Sequence, residues 1–261
     1  MGNGDLSAVG RTAFAVALAR ATEATRDHAW FVDPLAVRLS AAVSQATRER
    51  VSVGLTAWIA VRTRFLDELI LQAAGRGLRQ LVIIGAGLDA RAFRLNLPPE
   101  LTVYEVDRED VFAAKRRILQ AAGLVSGRRH EIVADVLEAD WLERIEYIGW
   151  RRDERTIWIL EGFLIYFDPE TRTRILTELA GASAPGSELG VTMSTRTDEP
   201  RHPLWKAFDA TDVDGWFAEC GWQAAVTTMA DASGRYGRPL PTGVAERVSG
   251  LLVAARTVGA G

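Results

Sequence analysis

The chain has 261 residues, of which 48% are hydrophobic and 25% charged, enough apolar content for one large domain with an ordinary core. Its net charge of −3 offers no broad cationic surface for a nucleic acid, and no run of apolar residues is long enough to predict a membrane span. The single cysteine, Cys220, excludes an intrachain disulfide and a thiolate metal cluster. We therefore expect a soluble cytoplasmic protein with no nucleic-acid or membrane partner.

Helical periodicity dominates the N-terminal part of the chain. A first helix is predicted around residues 14–18, and Asp33-Pro34 is typical of a second helix start because aspartate caps and proline fits the first turn. A third helix is predicted over residues 55–74, where apolar side chains fall largely on one side before two glycines. We interpret residues 1–76 as an N-terminal helical lid.

From residue 81 onwards, strand-like and helix-like segments alternate, which predicts a doubly wound α/β sheet within one domain of residues 77–261. The predicted strands are 81–85, 102–107, 130–135, 156–161, 188–194, 223–229 and 247–256. The predicted helices between them are 109–122, 169–182 and 212–220. In such a sheet, ligands bind at the carboxyl ends of the strands.

The first predicted strand runs into the glycine turn Gly85-Ala86-Gly87-Leu88-Asp89, where the backbone can approach a ligand. The second strand ends in Glu105-Val106-Asp107. Asp107 falls 22 residues after Gly85, the spacing expected of an acidic residue that binds ribose hydroxyls. The two motifs together predict a bound nucleoside.

Asp89 separates two candidate nucleosides. Its carboxylate stands in the turn where the pyrophosphate of a nicotinamide dinucleotide would need positive potential. S-adenosyl-L-methionine carries no phosphate and has a cationic sulfonium, so an acidic turn is compatible with it. A nicotinamide-dependent oxidoreductase stays open as the less favoured alternative, as does a cofactor-binding regulator without catalytic activity.

Carboxylates also follow the third and fourth predicted strands. Asp135 beside Val136 suits the amino group and the face of adenine, respectively. Glu161 interrupts an otherwise apolar run, and a buried glutamate is costly unless it is paired or functional. A methionine ammonium group or a substrate hydroxyl would be a natural partner. An ion pair with an arginine of the protein is the alternative.

These motifs together resemble the leucine carboxyl methyltransferase superfamily, and most closely its bacterial branch of S-adenosyl-L-methionine-dependent O-methyltransferases, which includes polyketide carboxyl methyltransferases. The resemblance extends from about Arg11 to Phe167 and includes Arg91 after the glycine turn and the segment 161–166. It implies a seven-stranded Rossmann-like class I methyltransferase sheet with an N-terminal helical lid. It also implies methyl transfer to an oxygen of a small, natural-product-like molecule. The absence of a convincing general base in the sequence favours a carboxylate over a hydroxyl as the acceptor.

The resemblance further implies which residues bind the cofactor. Arg62, on the helix before the first strand, would hold the cofactor carboxylate through its planar fork, and Arg64 is the competing candidate. Arg20 matches a basic family residue only loosely, and a surface arginine is equally compatible with the sequence. The remaining implied cofactor-binding residues are Gly85, Ala86, Gly87, Asp89, Glu105, Asp107, Asp135, Val136 and Glu161.

Three residues are candidates for the chemical step: Glu161, Tyr166 and His202. A carboxylate acceptor is ionised near pH 7 and needs no general base, whereas a phenol or alcohol does. His202 is the best base candidate because it lies in an irregular loop after the fifth strand, and His28 is second. The histidines lack metal-ligand spacing, so no metal is expected. A small acid or hydroxylated molecule is the expected partner, and association with a second copy of the chain stays open.

Overall fold

A seven-stranded sheet forms the centre of the protein in a computed structural model, which describes residues 8–45, 51–194, 206, 211–238, 240 and 250–257. The strands are β1 (Gln80–Ile84), β2 (Thr102–Asp107), β3 (Arg129–Val133), β4 (Thr156–Leu160), β5 (Glu188–Ser194), β6 (Trp222–Thr228) and β7 (Gly250–Thr257). The helices of the described ranges are α1 (Ala8–Glu23), α2 (Pro34–Ala41), α3 (Val53–Gly75), α4 (Arg91–Arg94), α5 (Glu109–Ala122), α6 (Trp141–Tyr147), α7 (Pro169–Gly181), α8 (Val213–Glu219) and α9 (Met229–Arg235).

The strand order is β3-β2-β1-β4-β5-β7-β6. Strands β1 to β5 pair in parallel, whereas β7 runs antiparallel to both of its neighbours, β5 and β6. This topology confirms the predicted doubly wound α/β sheet, and β2 and β5 have the predicted bounds. Because β1, β2, β3 and β4 are parallel, the motifs that follow them meet at one edge of the sheet.

Apolar side chains cover both faces of the sheet, which explains why the central strands read as continuous hydrophobic runs. Every residue of β1 and of β4 is buried. On one face, Val82 and Ile84 share a core with Trp158. On the other face, Leu81 and Ile83 pack in a core that includes residues of α3. The division into a lid of residues 1–76 and a domain of residues 77–261 stays a prediction, since α3 shares this second core with the sheet.

Capping side chains set where the N-terminal helices begin. The Asp33 carboxylate accepts a hydrogen bond of 2.8 Å from the backbone N–H of Ala36, so α2 begins at Pro34 as predicted. Helix α3 begins two residues before its predicted start because Ser52 caps it through the N–H of Leu55. Three short helices, α4, α6 and α9, were not predicted. No helix in the described ranges combines the length and apolar character that spanning a bilayer would require.

Gly190 in β5 lets α3 lie close against the sheet. A Cβ at this position would stand 2.7 Å from a methyl group of Leu66 and 3.0 Å from one of Ile159. Leu66 follows Arg62 by one helical turn, so it lies on the same side of α3. The missing side chain at Gly190 therefore sets the depth at which α3 presents Arg62 to the sheet.

We expect Gly190→Ala to lower the free energy of unfolding by about 1–3 kcal/mol, because the added methyl group overpacks the contact with Leu66. Urea denaturation measures the change. Gly181→Ala is the matched control, since a Cβ at Gly181 meets nothing within 4 Å. Adding Leu66→Ala to the Gly190→Ala variant should cost less than the sum of the single changes. Strict additivity would contradict the proposed contact.

Candidate functional site

The glycine turn after β1 uses backbone conformations that favour glycine. Gly85 and Gly87 have φ angles of 64° and 50°, in the left-handed region. A Cβ on Gly85 would stand 2.5 Å from the ring of Phe163, and one on Gly87 would stand 3.3 Å from the Cβ of Ala13. The two glycines therefore admit the segment after β4 and helix α1 directly against the turn. Ala86, between them, is buried in the core.

The two acidic residues at the end of β2 occupy different environments. Asp107 accepts hydrogen bonds from the N–H groups of Gly87 at 2.6 Å and Arg108 at 2.8 Å, which ties it to the glycine turn. Glu105 is fully buried and pairs with Lys115 at 2.6 Å and Arg129 at 2.7 Å. The structure thus brings Asp107, and not Glu105, to the turn. Burial raises the pKa of Asp107 above its ordinary value, although these two N–H groups oppose the shift.

The two residues after β3 that were predicted to contact adenine also occupy different environments. Asp135 is exposed at the carboxyl edge of the sheet, and one of its oxygens accepts a hydrogen bond of 3.0 Å from the N–H of Leu137. Val136 is buried in the core. Its side chain therefore contributes to packing, while the Asp135 carboxylate stands open at the edge.

Glu161, directly after β4, lies at the centre of three arginines. Arg62 Nε and Arg20 Nη2 donate to its Oε1 at 2.9 Å and 3.0 Å, and Arg91 Nη1 donates to its Oε2 at 2.6 Å. The arginines come from α3, α1 and α4, respectively. The ion pair with arginines of the protein, one of the two alternatives for Glu161, is therefore formed. Because three cations surround one carboxylate, Glu161 fixes three helices to the same point of the sheet.

Further carboxylates balance this cluster. Asp89 accepts a hydrogen bond from the Arg91 N–H at 2.7 Å and also contacts the Arg91 guanidinium. Asp67 binds Arg91 Nε at 2.7 Å and both terminal nitrogens of Arg94. We call the whole set the arginine–carboxylate network. Its members are Arg20, Arg62, Arg91, Arg94, Asp33, Asp67, Asp89 and Glu161.

The network controls the ionisation of its carboxylates. Burial would raise the pKa of Glu161, but the charges of Arg20, Arg91 and Arg62 outweigh it and hold the pKa well below its ordinary value. Burial likewise opposes ionisation of Asp89, yet Arg91 and Arg20 lower its pKa. Both groups therefore remain anionic at neutral pH. Arg91 neutralises the charge of Asp89. The presence of Asp89 in the turn is therefore weaker evidence against a bound pyrophosphate than the sequence alone indicated.

The side chains of the two candidate arginines of α3 lie in different environments. Arg62 is buried beside Gly162, where a Cβ would stand 2.9 Å from Arg62 Nη1. Its Nε binds Glu161, and no hydrogen bond of its terminal nitrogens occurs within the described ranges. Arg64 instead pairs with Glu68 at 3.0 Å and lies over the ring of Tyr236. The structure therefore places Arg62, and not Arg64, at the carboxyl edge of the sheet.

The other candidates for the chemical step are more scattered. The Tyr166 hydroxyl shares a hydrogen bond of 2.8 Å with Thr12 Oγ1, which joins α1 to the segment after β4. His28 is exposed on a turn after α1. His130 stacks on the ring of Tyr104, with 5.5 Å between the ring centroids. His202 lies outside the described residues, so its predicted role as a base stays a prediction.

The role of Arg91 was not predicted from the sequence, and the role of Arg20 was predicted only loosely. Arg91 is fully buried and contacts three carboxylates, those of Asp67, Asp89 and Glu161. The spacing of Asp89 and Arg91 was an available signal, because residues two apart in a tight turn can form a local ion pair. Asp67 had no comparable signal, since its contact with Arg91 depends on how α3 meets the turn.

We expect Glu161→Gln to lower the free energy of unfolding by about 3 kcal/mol, because it leaves three buried arginines without their shared carboxylate. Urea denaturation at several pH values measures the difference from the unaltered protein. The folded-state pKa of Glu161 is depressed, so its contribution is present above the unfolded pKa of about 4.3 and is lost as the pH falls through the folded pKa.

The matched control is Glu138→Gln, since Glu138 pairs with Arg144 at 3.0 Å on the exposed surface. That substitution should leave the urea midpoint almost unchanged. Equal effects of the two substitutions would contradict the central place given to Glu161.

Residues 13–180 match the sequence model of the family described as leucine carboxyl methyltransferase. A Frankia alni protein is 33% identical over 276 residues, covering 96% of each chain, and is named as a candidate S-adenosyl-L-methionine-dependent methyltransferase. A Parafrankia protein with the same designation is 36% identical over 277 residues, covering 96% of this chain and 88% of its own.

A solved structure supports the fold independently. The crystal structure of a candidate methyltransferase from Thermobifida fusca superposes with a TM-score of 0.61 over 84% of this chain and 88% of that chain. The two sequences are 17% identical, so the likeness concerns the fold alone.

Proposed function

The chain belongs to the leucine carboxyl methyltransferase family and is an S-adenosyl-L-methionine-dependent methyltransferase, and from this premise we propose that it methylates a carboxylate oxygen of a small molecule. The family assignment sets aside the nicotinamide alternative. The single observation that supports a carboxylate acceptor is the state of Glu161. Both of its oxygens are engaged by arginines, so it is not free to remove a proton from a hydroxyl.

The described residues fit S-adenosyl-L-methionine. The terminal nitrogens of Arg62 are suited to the cofactor carboxylate, since the missing side chain at Gly162 allows the guanidinium to lie at the carboxyl edge of the sheet. Asp107 is held at the glycine turn by two backbone N–H groups and retains acceptor capacity for ribose hydroxyls. The exposed carboxylate of Asp135 is suited to the adenine amino group. We assign Glu161 to orienting Arg62, rather than to direct contact with the methionine end.

The choice of acceptor follows from which groups can take a proton. His28 is exposed on a turn, His130 stacks on Tyr104, and Glu161 is held anionic by three arginines. A carboxylic acid is ionised at neutral pH and needs no base. A carboxylate acceptor therefore requires no general base among the described residues. A hydroxyl acceptor would need a base such as His202 and remains the second candidate.

The transfer requires the protein to position its reactants rather than to move protons. S-adenosyl-L-methionine supplies a methyl group on a cationic sulfur. A lone pair of the acceptor carboxylate forms the new O–C bond as the S–C bond breaks with its electron pair remaining on sulfur, so no proton is transferred. The hydrogen bond between Thr12 and Tyr166 joins α1 to the segment after β4, and we assign to this contact a part in keeping the reactants in place. Such positioning can contribute about 7–11 kcal/mol.

The nature of the product tests the proposed acceptor. With methyl-labelled cofactor and a panel of small carboxylic acids, phenols and alcohols, we expect label to enter acids. Mild alkali should then release the label as volatile methanol, because esters hydrolyse under conditions in which methyl ethers do not. The initial rate should stay flat from about pH 6 to 9, since the acceptor carboxylate is already ionised.

Alkali-stable product from a phenol, with a rate that rises through the pKa of an imidazole, would replace the carboxyl proposal by the hydroxyl alternative. His202→Ala would then abolish transfer. Absence of transfer to every acceptor, despite cofactor binding, would favour the catalytically inactive regulator.

Arg62→Ala should weaken binding of S-adenosyl-L-methionine by about 10- to 100-fold, because charge-assisted hydrogen bonds contribute about 1.5–3 kcal/mol. Isothermal titration calorimetry measures the change. Arg64→Ala is the matched control from the same helix, and we expect its affinity to stay within about twofold because Arg64 contacts Glu68 and Tyr236. A larger loss for Arg64→Ala than for Arg62→Ala would reverse the assignment.

A further inference from the structure

Asp33 is a carboxylate of the network that has no direct part in the proposed cofactor contacts. Asp33 is fully buried, and its Oδ1 accepts the N–H of Ala36 at 2.8 Å to cap α2. Its Oδ2 is also buried and has no hydrogen-bond partner within the described ranges. This oxygen lies 4.0 Å from Nη1 of Arg20.

Capping alone does not account for a buried charge at this position. Asp168 caps α7 in the same way, through a hydrogen bond of 2.8 Å from the N–H of Thr171, and a proline likewise follows it. Asp168 keeps 51% of its side chain exposed, whereas Asp33 keeps 1%. Serine or asparagine caps a helix about as well as aspartate does. The negative charge of Asp33 therefore has a reason other than the helix start.

Arg20 supplies that reason. Its Nη2 donates to Glu161 at 3.0 Å and its Nη1 donates to the carbonyl of Leu88 at 3.4 Å. Glu161 also binds Arg62 and Arg91, so its one negative charge is shared by three guanidinium groups that repel each other. Asp33 places a further negative charge 4.0 Å from Nη1 of Arg20, where it acts together with the charge of Asp89 to offset part of this repulsion.

Arg20 is linked to Arg62 because both contact the same oxygen of Glu161. Arg20 and Arg62 both bind Oε1 of Glu161, so a shift of Arg20 alters the electrostatic balance at the atom that orients Arg62. The terminal nitrogens of Arg62 are the ones we assign to the cofactor carboxylate. A change at the start of α2 is therefore transmitted to the cofactor site through two successive ion pairs.

We propose that Asp33 is a positioning residue for cofactor binding, which acts by holding Arg20 against Glu161 and so keeps Arg62 aligned. This inference rests on the proposed role of Arg62 in cofactor binding. It assigns two functions to one carboxylate: Oδ1 fixes the start of α2, and Oδ2 supports the network.

Asp33→Asn separates the two functions, because asparagine retains the cap and removes the charge. We expect the dissociation constant of S-adenosyl-L-methionine, measured by calorimetry, to rise at least about tenfold. The KM of the acceptor should stay unchanged. Asp168→Asn is the matched control and should leave cofactor affinity within about twofold. If Asp33→Asn does not fold, Asp33→Ser carries out the same test with a hydroxyl cap.

A double-mutant cycle with Arg20→Gln distinguishes action through Arg20 from a general loss of structure. If Asp33 acts through Arg20, adding Asp33→Asn to Arg20→Gln should cause no further loss of affinity. Additive losses, an unchanged affinity in Asp33→Asn, or unfolding of both Asp33 variants would overturn the proposal. An unchanged affinity in Arg62→Ala would instead refute the cofactor assignment on which it rests, so the two failures are distinguishable.

Discussion

The arrangement at the carboxyl edge of the sheet depends on one buried carboxylate. Glu161 directly follows the central strand β4 and receives arginines from three separate helices. A buried charge is tolerated only when it is paired and hydrogen-bonded, and here the pairing is possible only if α1, α3 and α4 all reach the same point. The ionic requirement of one residue therefore determines how the N-terminal helices meet the sheet.

The fold was largely predictable because its signals are local. Continuous apolar runs mark the buried strands β1 and β4, and Asp33-Pro34 marks the start of α2. The elements that were not predicted depend on tertiary contacts. The short helix α6, for example, places Trp141 against Trp158 in the core, and no local sequence pattern predicts that contact.

The individual motifs of the site were predictable from the sequence, but the contacts between their residues were not. The motifs after β1 to β4 converge as parallel topology requires, and Glu161 was identified as a carboxylate in need of a partner. Which residues would partner it depends on contacts across more than 60 positions of the chain, which single-sequence patterns do not contain. The same limit applies to Glu105 and Asp107: alternation places them on one face of β2, but only the packing of Lys115 and Arg129 buries the former.

The position of β7 has a consequence for how the protein assembles during synthesis. This strand lies between β5 and β6, and in the described ranges β6 has no other strand as neighbour. Strands β1 to β5 can pair as they leave the ribosome, but β6 must wait until β7 follows it. The unpaired edges of β5 and β6 are exposed in the meantime, which makes the nascent chain most prone to wrong pairing in the interval before β7 is synthesised.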